Sequence, residues 1–178
     1  MQTLRGAEWA GGAAMLTGAA LFSGFYLNEL LMKLLARHDP HPALFDAYAL
    51  TLPELPASDD TQVQAALRAF ELTLLKQTGL LPDLSLVTLT QQPVRLDARY
   101  VLLPEAGVGA SRGDEGELTG EALIGLQAAL QHGSVAALQQ ACRPCSQALK
   151  RPLRGMIQHH LGSATLRTRQ VMMGLQGL

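Results

Sequence analysis

The sequence predicts a mainly α-helical domain with a small β hairpin or meander inserted into it. Apolar residues make up 48% of the 178 residues but aromatic residues only 4%, so leucine and alanine must supply most of the core, which favours helices over a sandwich or barrel. Apolar side chains recur at spacings of three and four through most of the chain. Between about 82 and 116 this spacing gives way to alternation and a β-prone run at 99–103, which places the β-rich insertion there.

The first helix is predicted from about residue 13 to residue 37. Leu27, Leu30, Leu31 and Leu34 fall on one of its faces, which must be buried against another element. The Asp39–Pro40 pair ends the helix, since a residue before proline is pushed out of the helical region.

Further helices follow from the same spacing and from capping residues. They are predicted over residues 42–52, 61–78, 120–131, 135–161 and 166–174. Asp59 or Asp60, Thr119 and Ser134 are suited to cap three of these helices at their N-termini. Pro144 and Pro152 are expected to kink or split the long helix that follows Ser134.

Charge is distributed unevenly along a chain whose net charge is only −1. Residues 1–60 contain three cationic and seven acidic side chains, whereas residues 122–178 contain six cationic and no acidic ones. Such a basic region indicates contact with phosphates or with an acidic protein surface, although a solvated helix face explains it equally well. The candidate DNA- or partner-binding cations are Lys150, Arg151, Arg154, Arg167 and Arg169.

The helix predicted over 61–78 offers a second candidate site. Arg68 and Lys76 flank the apolar residues Leu67, Leu72 and Leu75. A groove between helices with cations at its rim suits a short peptide that carries apolar side chains and carboxylates.

Enzyme and metal signatures are weak or absent. The chain has no Walker A loop, no GxGxxG, no HExxH and no GxSxG. Cys142 and Cys145 form a CxxC pair without a thioredoxin-like context or a suitably spaced set of further ligands, so we expect buried thiols rather than a metal or redox centre. The uncharged run 9–28 leaves one alternative open, a membrane-associated helical protein anchored by this segment.

Three segments in order resemble the bacterial recombination-mediator family RecO. They are residues 24–31 (GFYLNELL), 41–48 (HPALFDAY) and 67–75 (LRAFELTLL). The closing residues 161–169 are similar to the family's basic C-terminal motif, with Thr168 where a serine is common.

The resemblance implies a DNA-repair adaptor without enzymatic activity or cofactor, located in the cytoplasm with the nucleoid. RecO proteins bind single- and double-stranded DNA, anneal complementary strands and act with RecR to help load RecA onto strands coated by single-strand-binding protein. They are recruited through that protein's acidic, phenylalanine-ended C-terminal tail, and Arg68 matches a family position implicated in docking it. The basic C-terminal residues would then contact DNA or RecR.

The chain departs from the family in two places. RecO proteins begin with a DNA-binding OB domain, and residues 1–12 are expected to be the exit from such a domain, with residues 13–178 forming the helical domain. Autonomous DNA binding is therefore expected to be weakened. Many members also carry a cysteine zinc knuckle in the β-rich segment; residues 86–90 contain no cysteine, so no zinc is expected.

Overall fold

The computed structural model describes residues 6, 15–111, 113, 117–162, 166–168 and 170–171. Within these residues the fold is mainly α-helical with a small antiparallel sheet, which confirms the predicted fold class. The helices are α1 (Gly18–Leu34), α2 (Pro42–Thr51), α3 (Asp60–Gln77), α4 (Gly120–His132), α5 (Val135–Cys142) and α6 (Ser146–Leu161). The strands are β1 (Arg99–Leu103), β2 (Gly107–Ala110) and β3 (Leu118–Thr119).

Helix α3 forms the centre of the domain. It packs against α2, α5 and α6, and the residues from Ala65 to Leu75 are buried with the exception of Thr73. A helix that is buried around most of its circumference belongs to the interior rather than to a surface layer. Two charged residues, Arg68 and Glu71, are buried together with its apolar side chains.

The predicted caps and the predicted break at Pro144 are confirmed. Asp59 accepts a hydrogen bond from the backbone N–H two residues later at 2.9 Å, and Thr119 and Ser134 each accept one from the N–H three residues later. Pro144 lies in a 3-10 turn that separates α5 from α6. Pro152, in contrast, lies inside α6, which continues past it to Leu161.

The sheet is smaller than the predicted β-rich insertion and shifted toward its end. Strand β1 is central, with β2 and β3 antiparallel on its two sides. Residues 82–98 contain no strand and only an isolated bridge between Leu86 and Pro93. Gly107 opens β2 at φ +67°, and a side chain there would collide with the Thr88 hydroxyl, so this turn requires glycine.

Some expectations fall on residues outside the described part of the chain. These are the predicted domain exit at 1–12 apart from Gly6, residues 13 and 14 of the predicted first helix, Arg169, and the end of the last helix, of which only 167, 168, 170 and 171 are described as helical. Residues 15–17 are described and are not helical, so the first helix begins later than predicted, at Gly18. Residues 18–28 of the proposed anchor belong to α1, in which Gly24 and Leu27 are buried. Among the described residues, no helix combines the length and apolar content that crossing a bilayer requires.

Candidate functional site

A cavity of about 370 Å³ lies between α1, α3 and α6. Three cationic side chains line it: Arg68 of α3, and Lys150 and Arg154 of α6. We call this site, with the apolar side chains described next, the cation pocket. Arg68 and Lys150 are 82 positions apart in the sequence, so the packing of α3 against α6 creates this concentration of charge.

The remaining wall of the cation pocket is largely apolar. Phe22 of α1, Leu67 of α3, Ile157 of α6 and Leu166 line it. The helical repeat explains the arrangement on α6, because Lys150, Arg154 and Ile157 are spaced by four and three residues and therefore share one face. A cavity with cations beside an apolar wall favours a ligand that carries both an anionic group and an apolar group.

A buried ion pair forms the floor of the cation pocket. Arg68 Nη2 lies 3.0 Å from Glu71 Oε1, and the Tyr26 hydroxyl donates to the same carboxylate oxygen at 2.7 Å. The side chains of Arg68 and Glu71 are 7% and 1% exposed, respectively. Arg68 Nε and Glu71 Oε2 are buried and have no hydrogen-bond partner among the described residues. The described residues therefore satisfy the hydrogen-bonding groups of this buried pair only in part.

Burial dominates the electrostatics of this floor. It raises the pKa of Glu71, while the nearby positive charge of Arg68, the Tyr26 hydroxyl and the charge of Lys150 act in the opposite direction. Burial and the neighbouring Glu71 carboxylate raise the pKa of Tyr26 well above its ordinary value, so Tyr26 keeps its proton and remains a donor. Neither Lys150 nor Arg154 forms a salt bridge within the described part of the chain, and both are exposed.

The structure brings together parts of the two candidate sites that the sequence suggested separately. Arg68 and Leu67 from the α3 groove share the cation pocket with Lys150 and Arg154 from the basic C-terminal region. Arg167 is exposed, and its neighbours Leu166 and Thr168 line the pocket.

Three other residues predicted for the α3 groove lie elsewhere. Leu72 and Leu75 are fully buried in the core. Lys76 donates to the backbone carbonyl of Leu130 and lines a separate small cavity between α3 and α4. The physical reason is that α3 is surrounded by other helices, so its apolar residues face neighbours rather than a single open groove.

Arg151 lies on the other side of α6, in a second cavity of about 750 Å³ beside the sheet. We call this cavity the sheet groove. Its lining is apolar apart from Arg151 and Thr90 and includes Val87, Leu89, Val101 and Leu103. The basic residues of α6 are therefore divided between two cavities.

The cysteine pair is buried and reduced. Cys142 and Cys145 are free thiols at the junction of α5 and α6. Burial raises the pKa of both, that of Cys145 to about 11, which disfavours the reactive thiolate at neutral pH. Within the described residues, no group of three or more histidine, cysteine or acidic side chains is placed to hold a metal ion.

Sequence reasoning missed the roles of Tyr26, Glu71 and Phe22 in this site. Glu71 lies three positions after Arg68 on α3, so their shared face and opposite charges were a usable signal. Tyr26 and Phe22 are four apart on α1, but their approach to α3 depends on tertiary packing that periodicity does not specify.

Comparisons with known proteins agree with this architecture. The chain matches the family model described as "Recombination protein O C terminal" over residues 15–170. It is 48% identical to a protein named DNA repair protein RecO from Verminephrobacter eiseniae, and the alignment covers 100% of this chain and 71% of the relative. A protein of the same name from Polaromonas naphthalenivorans is also 48% identical, with 100% and 72% covered.

Proposed function

Because this chain belongs to the RecO family, we propose that it acts in DNA repair as an adaptor that docks the tail of single-strand-binding protein in the cation pocket. The observation that carries this proposal is the convergence of Arg68, Lys150 and Arg154 on a cavity that also has an apolar wall. An acidic peptide ending in phenylalanine has both complementary features. Its carboxylates would pair with the cations while the aromatic ring would occupy the apolar part.

The two parts of the pocket would contribute differently to binding. Lys150 and Arg154 are exposed, so their attraction for the aspartates of a tail would be screened by salt. Arg68 is buried, and its hydrogen bond to a terminal carboxylate would form in a less polar environment, where it is stronger. Arg68 would therefore fix the end of the peptide, and the α6 cations would guide the preceding residues.

We further propose that the basic residues outside the pocket contact DNA or RecR and that the adaptor helps RecA to load. Two exposed cations outside the pocket lining support this proposal: Arg151 in the sheet groove, and Arg167, whose neighbours Leu166 and Thr168 line the cation pocket. The described lining of the sheet groove contains no aromatic side chain for stacking on bases, so DNA binding would rest on phosphate contacts and would fall steeply with salt. A DNA affinity that does not change with salt would contradict this part of the proposal.

The direct test measures the affinity of the purified chain for a short acidic peptide with a C-terminal phenylalanine and a free carboxylate. We expect Arg68→Ala to weaken binding more than Arg154→Ala. Lys76→Ala is the matched control on α3, because Lys76 lines a different cavity, and it should leave the affinity unchanged. Equal losses for Arg68 and Lys76 would argue against a localised pocket.

A second peptide separates the apolar from the electrostatic contribution. Replacing the terminal phenylalanine by alanine preserves every charge, so a purely electrostatic patch would bind both peptides equally. We expect the alanine peptide to bind roughly tenfold or more weakly, since burying an aromatic side chain contributes on the order of 1.5–3 kcal/mol.

A further inference from the structure

One carboxylate on α1 holds the segment that closes the cation pocket. Glu29 Oε1 accepts a hydrogen bond from the Arg167 backbone N–H at 2.7 Å. Its Oε2 accepts from the Thr168 N–H at 2.9 Å and from the Thr168 hydroxyl at 2.7 Å. Glu29 and Thr168 are 139 positions apart, so these bonds join the beginning of the described chain to its end.

The residues held in this way form part of the pocket wall. Leu166 and Thr168 both line the cation pocket, whereas Glu29 itself does not. Leu166 is also buried against the core, so an apolar contact and the Glu29 bonds act on the same short segment. Gly162 ends α6 at positive φ, so α6 itself does not continue into this wall. The position of the wall therefore depends on what the segment contacts.

The Glu29 carboxylate is well suited to this task. Its side chain is only 13% exposed, and Lys33 lies 3.2 Å from Oε1 on the same helix. Burial alone would raise the pKa of Glu29, but the hydrogen bonds from Thr168, Arg167 and Lys33 outweigh it and lower the pKa to about 2. The group stays ionised at neutral pH, and charge-assisted bonds of this kind are stronger than neutral ones.

We propose that Glu29 is a positioning residue for the cation pocket: by binding the backbone of Arg167 and Thr168 it holds residues 166–168 as the wall against which an acidic, aromatic-ended peptide docks. This inference rests on the proposed function. It adds that the affinity for the peptide depends on a residue that does not contact the peptide. It also gives the closing basic segment a role in the protein-binding site, separate from contact with DNA or RecR.

The test uses the full chain and two measurements on each variant. The first is the affinity for the short acidic peptide with a C-terminal phenylalanine, and the second is hydrogen exchange of the Arg167 and Thr168 amides. Glu29→Ala should expose both amides to exchange and weaken peptide binding by about tenfold, the equivalent of about one charge-assisted hydrogen bond. Thr168→Val removes the hydroxyl bond to Glu29, keeps both backbone bonds and replaces a hydroxyl of the pocket lining by a methyl group; it should weaken binding by roughly threefold, with intermediate exchange.

Lys33→Ala is the matched control, because it alters the other partner of the Glu29 carboxylate and leaves the bonds to residues 167 and 168 in place. It should change binding by less than about twofold. Far-UV circular dichroism checks that each variant is folded. If Glu29→Ala does not fold, Thr168→Val still tests the proposal.

The outcomes distinguish this inference from the proposed function. Faster exchange with unchanged peptide affinity would show that the segment is held by Glu29 but is no part of the site, which overturns the inference and leaves the proposed function standing. Unchanged exchange would overturn it as well. If the unsubstituted chain does not bind the peptide at all, the proposed function fails and the inference fails with it.

Discussion

Of the two cavities on either side of α6, the larger one has fewer cationic side chains in its lining. The sheet groove encloses about 750 Å³ and has a single cationic side chain, Arg151, in its described lining. The cation pocket encloses about 370 Å³ and has three, of which Arg68 is buried. Size alone would select the sheet groove as the binding site. The placement of charge beside apolar walls selects the smaller cavity, because recognition of a specific ligand depends on a few well-positioned polar groups.

Helix α6 creates this difference through its own repeat. Lys150 and Arg154 are four positions apart and face α3, while Arg151 is turned by about 100° and faces the sheet. A basic region that looks uniform in sequence is therefore two surfaces with separate neighbours. A substitution on one surface can therefore be compared with a matched substitution on the other.

The largest effect is expected at the buried pair of the cation pocket. Arg68→Met leaves the Glu71 carboxylate buried without its cationic partner, which should lower the free energy of unfolding by about 3–5 kcal/mol. The double variant Arg68→Met with Glu71→Leu should recover most of this loss, because replacing a whole buried pair by apolar residues is often neutral. Urea denaturation measures both.

Arg151→Met is the matched control in the sheet groove. Since Arg151 is exposed, its removal should change stability by no more than about 0.5 kcal/mol. Similar losses for Arg68→Met and Arg151→Met would mean that the two cations are equivalent and would remove the contrast between the cavities.

The next effect concerns the wall of the cation pocket and depends on pH. The pKa of Glu29 is about 2 in the folded protein and 4.5 ordinarily, so the ionised group stabilises the fold above about pH 4.5 and this contribution disappears as the pH falls toward 2. The unsubstituted chain should therefore exceed Glu29→Gln in unfolding free energy by up to about 3 kcal/mol at neutral pH, with a smaller difference at pH 3. Denaturation at several pH values measures it. A difference that grows as the solution is acidified would refute the assignment.

Much of the fold could be predicted from the sequence because it depends on local rules. The helices follow from apolar spacing, and the caps at Asp59, Thr119 and Ser134 follow from side chains that accept N-terminal backbone hydrogen bonds. The strands were harder to predict. Residues 82–98 alternate like strands but form a turn-rich segment with one bridge, because pairing partners rather than alternation decide whether a strand forms.

The candidate site was predicted in part. Arg68 and the α6 cations were identified, but their meeting in one cavity depends on helix packing that a single sequence does not reveal. Leu72 and Leu75 were assigned to the groove because they neighbour Arg68 in sequence, yet they turn into the core. The bonds from Glu29 to residues 167 and 168 had no signal at all in the periodic pattern.

A moderate effect is expected from the exposed cations of α6. Lys150→Ala and Arg154→Ala should each weaken binding of the acidic, phenylalanine-ended peptide by about fivefold, or about 1 kcal/mol, and the loss should shrink at high salt. Arg151→Ala, one position away on the same helix, should leave peptide affinity unchanged. Fluorescence anisotropy at two salt concentrations measures all three variants. If Arg151→Ala weakens binding as much as its neighbours do, net charge rather than the cation pocket attracts the peptide.

The smallest effect on stability and on peptide affinity is expected for a substitution in the sheet groove. This substitution is the sharpest test of the difference between the two cavities. Leu89 is 83% exposed, so Leu89→Ser should change stability by no more than about 0.5 kcal/mol while making the groove more polar. Because the peptide is proposed to dock on the opposite side of α6, its affinity should not change. Ile157→Ser makes the corresponding change in the cation pocket, but Ile157 is buried and the substitution also costs stability, so its binding is compared at a temperature at which it is fully folded. Reduced peptide binding by Leu89→Ser would indicate that the aromatic end of the peptide binds in the sheet groove and not against the apolar wall of the cation pocket.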